Sequence, residues 1–87
     1  MIIFTENDEN GMSAILAEFK GANITEVALR DNPANVYYRL NVRGNNKECI
    51  RKCYQTHQEA EAIIYDIYQA LLAGRLAFVI TNEVKEF

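Results

Sequence analysis

The chain reads as an α+β domain: an antiparallel sheet of four or five strands, packed on one face by a long amphipathic helix, with a second, short helix near the N-terminus. Three observations carry this reading. Val36, Tyr38, Leu40 and Val42 alternate strictly with Tyr37, Arg39, Asn41 and Arg43, the period of two of a half-buried strand. From His57 to Ala73 the apolar residues recur at helical spacing instead, between a Thr56-His57-Gln58-Glu59 capping signal and Gly74. With 49% hydrophobic and 24% charged side chains, 87 residues suffice for a single domain over 1–87 with one modest core.

Taken in order, Met1 to Thr5 is a short β-type run, closed by the acidic turn Glu6-Asn7-Asp8-Glu9-Asn10-Gly11. Glu6, Asp8, Asn10 and Gly11 stand where a calcium loop would have oxygen ligands and its glycine. The twelfth position of that loop demands a bidentate acid and here is Ala17, so the stretch reads as a plain turn. Ser13 to Gly21 is expected to be the short helix, capped by Ser13, with Ile15, Leu16 and Phe19 on one face and Gly21 at its C-terminal stop; a strand is the alternative. Ile24 to Arg30 reads as a strand with Val27 and Leu29 on one side, and Asp31-Asn32-Pro33-Ala34-Asn35 as a turn.

The Val36–Arg43 strand then returns as Lys47–Tyr54 through Gly44-Asn45-Asn46, residues that tolerate positive φ. The register of this hairpin decides what its outer face carries. A two-residue Asn45-Asn46 loop opposes Arg43 to Glu48 and Arg39 to Lys52 and turns Cys49 and Cys53 toward the core. A three-residue loop opposes Arg39 to Arg51 and turns Glu48 and Lys52 inward. The first gains an ion pair and buries thiols rather than charges, so it is the expected one, at the cost of Arg51 near the sheet's rim.

In the 57–73 helix Thr56 is the N-cap and Gly74 the C′ residue. Its apolar arc spans roughly 200°, whereas contact with one sheet needs an arc of little more than about 100°. The Tyr65–Tyr68–Leu72 flank is therefore surplus and points to self-association, unless the N-terminal helix or the C-terminal segment covers it. Leu76 to Thr81 is a continuous apolar run of strand type that looks buried on both faces, which is a second pointer to an oligomer. The expected interface of a homodimer comprises Tyr65, Tyr68, Leu72, Phe78 and Ile80.

The net charge of −3 divides into +4 over residues 39–52 (Arg39, Arg43, Lys47, Arg51 and Lys52 against Glu48) and −7 elsewhere. Such a division marks a candidate face for an acidic partner, although a solvated hairpin gives the same count. Two cysteines set up no disulfide framework, and reduced thiols in a cytoplasm are the expectation. Four residues apart on one strand, they lie roughly 13 Å from each other, beyond the ~7 Å limit for a bridge. With His57 they make at most three soft ligands where structural zinc takes four, so no metal is expected. No signal peptide is expected, and no apolar run approaches the ~20 residues of a membrane helix.

Enzyme signatures are lacking, and a non-enzymatic chain without cofactors is the expectation. The glycines at 11, 21, 44 and 74 form no phosphate loop, and a Cys53–His57 dyad would have to span the strand-to-helix corner without an orienting group. The constellation that remains is Tyr37, Arg39 and Arg43 on the outer face of one strand, with Asn41 between them and Lys52 and Tyr54 beside them on the next. Tyrosine and arginine are hot-spot residues of protein interfaces. Interleaved on a sheet, they also serve single-stranded nucleic-acid binders. The overall negative charge favours the protein partner, with nucleic acid as the alternative.

The order of elements, from the apolar start Met1-Ile2-Ile3-Phe4-Thr5 to the helix opening Tyr54-Gln55-Thr56-His57-Gln58-Glu59-Ala60 followed by Ile63, Ile64 and Ile67, resembles a set of small uncharacterised proteins of Gram-positive bacteria and their phages. Relative to that pattern Asp8–Ala22 looks like an insertion, and the final strand is long. The resemblance implies the fold and a mobile-element origin, and carries no activity or site residue. The expected function is an interaction module that self-associates and docks a protein partner, of the phage accessory or inhibitor type.

Overall fold

The computed structural model describes residues 1–7 and 11–80. Among the described residues it is an α+β fold of six strands and one helix: β1 (Ile2–Asn7), β2 (Gly11–Leu16), β3 (Phe19–Ala28), β4 (Val36–Gly44), β5 (Cys49–Tyr54), α1 (His57–Leu72) and β6 (Ala77–Ile80). The strands form two three-stranded sheets, ordered β2-β1-β6 and β3-β4-β5, rather than the single sheet expected. The second sheet is antiparallel throughout. In the first, β1 pairs antiparallel with β2 and parallel with β6, setting Ile3 beside Phe78 and Thr5 beside Ile80. A parallel partner so far away in sequence needs a long crossover, and α1 lies within it.

The expected N-terminal helix over Ser13–Gly21 is corrected to two strands, β2 and the start of β3. Spacing allowed Ile15, Leu16 and Phe19 a common helical face. As strands, β2 instead fills the ladder beside β1 and β3 that beside β4, and the segment sends Leu16 and Phe19 into the core while Ile15 stays exposed. Of the expected Ile24–Arg30 strand, Ile24 to Ala28 form the end of β3 while Leu29 and Arg30 lie beyond it, and the 31–35 turn closes with the Asn35 amide donating to the Asn32 carbonyl at 2.9 Å. Asp8, Glu9 and Asn10 of the acidic turn, and residues 81–87, lie outside the described residues.

One core joins both sheets and the helix: Ile3, Leu16, Phe19, Leu40, Val42, Ile50, Tyr54, Ala60, Ile67 and Ile80. Helix α1 begins and ends as its sequence requires. The Thr56 hydroxyl accepts from the Glu59 amide at 3.1 Å. At the other end Gly74, with φ +74°, allows the Gly74 and Arg75 amides to reach the Leu71 and Ala70 carbonyls at 3.1 and 3.0 Å, a Schellman stop.

The hairpin register differs from the expected one by a single residue, with large consequences. Positive φ falls on Asn46 (54°) and Lys47 (69°), while Gly44 remains in β4 and donates to the Glu48 carbonyl. Gly44 is needed at that place because a side chain there would meet the Glu18 carbonyl oxygen at 2.8 Å and Leu16 Cδ2 at 2.9 Å. The resulting ladder pairs Arg43 with Cys49, Val42 with Ile50, Asn41 with Arg51, Leu40 with Lys52, Arg39 with Cys53 and Tyr38 with Tyr54. Because side chains alternate, one residue of slip transposes every β5 side chain to the other face. Ile50 and Tyr54 are the buried ones, at 4% and 1% exposure, and the cysteines face outward. The physical reason is area: Ile and Tyr remove far more apolar surface from water than two thiols, at about 25 cal/mol per Å².

Candidate functional site

The open face of the β3-β4-β5 sheet is built by this register. Strand β4 contributes Tyr37, Arg39, Asn41 and Arg43; β5 contributes Cys49, Arg51 and Cys53; β3 contributes Asn23, Thr25 and Val27, with Gly21 opposite Arg43. Leu40, Val42, Ile50 and Tyr54 occupy the opposite face, toward α1 and the other sheet. Three guanidinium groups thus share one face with two thiols and neutral polar groups, and no carboxylate stands among these positions. Arg43 and Arg51 are exposed, and Arg39 and Tyr37 half-buried.

Local contacts set how these groups lie. The Asn41 amide nitrogen donates to Thr25 Oγ1 across the β3–β4 step at 3.0 Å, bracing the centre of the face. Arg43 lies over Gly21: a Cβ on that glycine would stand 3.3 Å from an Arg43 guanidinium nitrogen, so the missing side chain lets the arginine lie across β3. Each thiol has two arginine neighbours on the face. Cys49 is opposite Arg43 and two residues from Arg51; Cys53 is opposite Arg39 and also two residues from Arg51. Cys49 is exposed and Cys53 half-buried, and both are free.

Of the expected partner-binding residues, Tyr37, Arg39 and Arg43 come together on this face and Lys52 and Tyr54 do not. Tyr54 is a core residue, and Lys52 sits half-buried opposite Leu40 on the inward side. Arg51, Cys49 and Cys53 belong to the face, in place of the core position expected for the cysteines and the rim position expected for Arg51. The signal that could have placed them was the pair Ile50 and Tyr54, the two largest apolar side chains of the return strand at a spacing of four.

Of the expected interface residues, Tyr65 (64% exposed), Tyr68 (41%) and Leu72 (81%) lie on the solvent side of α1, continued by Leu71 and Leu76. Tyr68 touches Phe19 edge-on, with ring centroids 5.7 Å apart. Ile80 is fully buried within its own chain and Phe78 is packed against the core, so these two are corrected to core-side residues. The double-sided burial expected for the final strand does not hold, since Ala77 and Val79 are exposed and β6 is an edge of its sheet. The outer face of that sheet also leaves Ile2, Ile15 and Val79 exposed, an apolar surface not anticipated from the sequence. An open groove of about 320 Å³ between α1 and β6 is lined by Asp66, Gln69, Ala70, Ala73, Arg75 and Phe78.

The Cys53–His57 dyad is not assembled. His57 packs edge-on against Tyr38, at 5.5 Å between ring centroids, and its Nδ1 contacts the Glu61 carboxylate, while Cys53 points to the face opposite Tyr38. No group of three or more His, Cys, Asp or Glu side chains placed to hold a metal ion occurs among the described residues. No helix is long and apolar enough to cross a membrane among them. Away from the face, the Met1 ammonium donates to Glu18 Oε2 at 3.0 Å, and this bond with its attendant charge holds the Glu18 carboxyl below its ordinary value.

Comparison with protein families, curated proteins and solved structures found no match.

Proposed function

We propose that the chain is a non-enzymatic interaction module that docks an acidic protein surface through the open face of the β3-β4-β5 sheet and self-associates through the outer flank of α1. An accessory or inhibitor protein of phage or mobile-element type, acting in the cytoplasm, is the setting that fits the sequence. One observation supports the docking reading above the others: Arg39, Arg43 and Arg51 share a face with no acidic side chain at its ladder positions, in a chain whose net charge is −3. Guanidinium groups pair bidentately with carboxylates, and Arg and Tyr carry a disproportionate share of interface energy.

The nucleic-acid alternative is weaker on this face than on the one expected from sequence. Stacking platforms use several aromatic rings along the path of the strand. With Tyr54 in the core, Tyr37 is the aromatic residue left among the ladder positions of the face.

The test is fluorescence anisotropy with a labelled Asp/Glu decapeptide and a labelled oligo-dT of equal length, at about 150 mM salt. The peptide is expected to bind more tightly than the oligonucleotide. Its affinity should fall at least tenfold in Arg39→Ala with Arg43→Ala, which corresponds to about 1.4 kcal/mol or more. Tighter binding of oligo-dT, lost in the same double variant, would replace the protein partner by nucleic acid.

A further inference from the structure

The two thiols on the arginine face have no part in the docking reading, yet the fold puts both of them among its arginines, along the edge strand β5. Cys49 and Cys53 cannot bridge each other, since on one strand they are roughly 13 Å apart. Their environment is instead suited to a reagent from outside. Each thiol lies beside two arginines: one directly across the ladder, with Cβ atoms about 5 Å apart, and Arg51, two residues away on the same strand. Cys49 is exposed, and its Sγ–Ile50 carbonyl contact, at 3.7 Å, is too long to occupy the sulfur strongly.

We infer that this face is a thiol-modification site for small disulfides that carry carboxylates, with Cys49 reacting first, and that the adduct closes the face to its acidic partner. The inference rests on the docking reading only for its consequence; the reactivity itself depends on the arrangement of thiols and arginines alone. The step is an ordinary exchange. The Cys49 thiol loses its proton to solvent, and its sulfur attacks one sulfur of glutathione disulfide. The new S–S bond forms as the old one breaks, and the displaced glutathione sulfur leaves as thiolate and takes up a proton. The protein sulfur is oxidised, the departing glutathione is reduced, and no further reagent is needed.

Electrostatics gives this site its selectivity. The arginines attract a carboxylate-bearing disulfide and do nothing for a neutral one. Once attached, a glutathionyl group places two carboxylates against one ammonium over the same guanidinium groups, in competition with the carboxylates of the partner. The cysteines would thus act as a chemical gate on the surface they occupy.

Two rate constants measured on the native full chain test this: one with 5,5′-dithiobis(2-nitrobenzoate), which is anionic, and one with neutral 4,4′-dithiodipyridine. The ratio of anionic to neutral rate is expected to fall about tenfold in Arg43→Gln with Arg51→Gln, and comparably in high salt. A variant that had lost its fold would raise the neutral rate, so the neutral probe controls for misfolding. Cys49→Ser should remove the fast phase and Cys53→Ser should keep it. In a separate arm, protein modified with glutathione disulfide should lose the Asp/Glu decapeptide at least tenfold and regain it after reduction. A rate ratio unmoved by the arginine variants, or a fast phase that survives Cys49→Ser, overturns the site. Undiminished peptide binding by the modified protein overturns the gate. Peptide that never binds, alongside an arginine-dependent ratio, overturns the docking reading and leaves the modification site standing.

Discussion

Replacing Ile50 and Cys49 one at a time by alanine decides which side of β5 faces the core. Ile50 is 4% exposed and lies opposite Val42, whereas Cys49 is exposed opposite Arg43. Ile50→Ala removes three carbons from the interior, about 2.4 kcal/mol of transfer free energy at ~0.8 kcal/mol each. The incompletely filled cavity raises this to roughly 3–4 kcal/mol, within the usual range for such truncations. A domain of this length has a total stability of roughly 4–13 kcal/mol, so the loss is a large fraction of the whole. At about 4–8 °C per kcal/mol, the melting temperature should fall by roughly 12–30 °C. Cys49→Ala, at the surface, should stay within about 0.5 kcal/mol of the wild type. Urea denaturation followed by circular dichroism gives both numbers, with equal slopes showing that the unfolded states are comparable. If Cys49→Ala cost as much as Ile50→Ala, the slipped register would be wrong, and with it the position of Arg51 and both thiols on the open face.

Further outcomes follow from particular contacts. Gly44→Ala should destabilise by about 1–3 kcal/mol in urea melts, because its new methyl group meets the Glu18 carbonyl and Leu16; Gly21→Ala, which meets only the mobile tip of Arg43, should change stability by less than about 1 kcal/mol. Thr56→Ala and Gly74→Ala each remove one end of α1 and should each cost about 1 kcal/mol, read from thermal melts. The bond from the Met1 ammonium keeps the Glu18 carboxyl below its ordinary value of 4.5. A depressed folded value means that its stabilisation is present above the unfolded value and disappears as pH falls through the folded one. Wild type and Glu18→Gln should therefore differ at neutral pH and converge in acid, as measured by urea titration across that range. Tyr65→Lys with Leu72→Lys alters two exposed residues and should shift sedimentation at high concentration toward the monomer without lowering the melting temperature; a wild type that already sediments as a monomer removes self-association from the proposal.

The parts of this fold that were legible are those whose information is local. Thr56, Glu59 and Gly74 mark the ends of α1 within a turn of where they act, and the strict alternation of Val36 to Arg43 identifies β4 and its outer face without knowledge of its neighbours. The hairpin register was not legible from charge pairing, because a surface ion pair contributes about 0–1 kcal/mol while burying Ile50 and Tyr54 contributes several times that. The Arg43–Glu48 pair is therefore outweighed by the burial of Ile50 in place of Cys49, and all of β5 turns its other face to the core. Ser13 to Gly21 departs from the expected helix for a different reason. Ile15, Leu16 and Phe19 satisfy a helical spacing, but β2 bulges at Ile15 opposite the Ile3–Phe4 step of β1, which face Leu16 and Ala14, and this leaves Ile15 exposed and Leu16 buried. A bulge of this kind is a property of two strands at once and leaves no mark in either alone.

The charge asymmetry takes on a definite form once the register is known. The +4 of residues 39–52 is not spread over the hairpin: Lys52 turns inward opposite Leu40, Lys47 stands in the turn, and the three arginines gather on one sheet face. The rest of the molecule is correspondingly acidic, since the chain as a whole carries −3. Under the proposed docking, an acidic partner is attracted by the three arginines, while the −7 carried by the sequence outside residues 39–52 disfavours it elsewhere. Specificity then draws on the acidic remainder as much as on the arginines, in the way that like-charge contacts exclude wrong orientations. It follows that a glutathionyl adduct at Cys49, with a net charge of −1, would lower the +3 of Arg39, Arg43 and Arg51 only to +2, so its proposed effect on docking lies in setting two carboxylates over the guanidinium groups where those of the partner would bind.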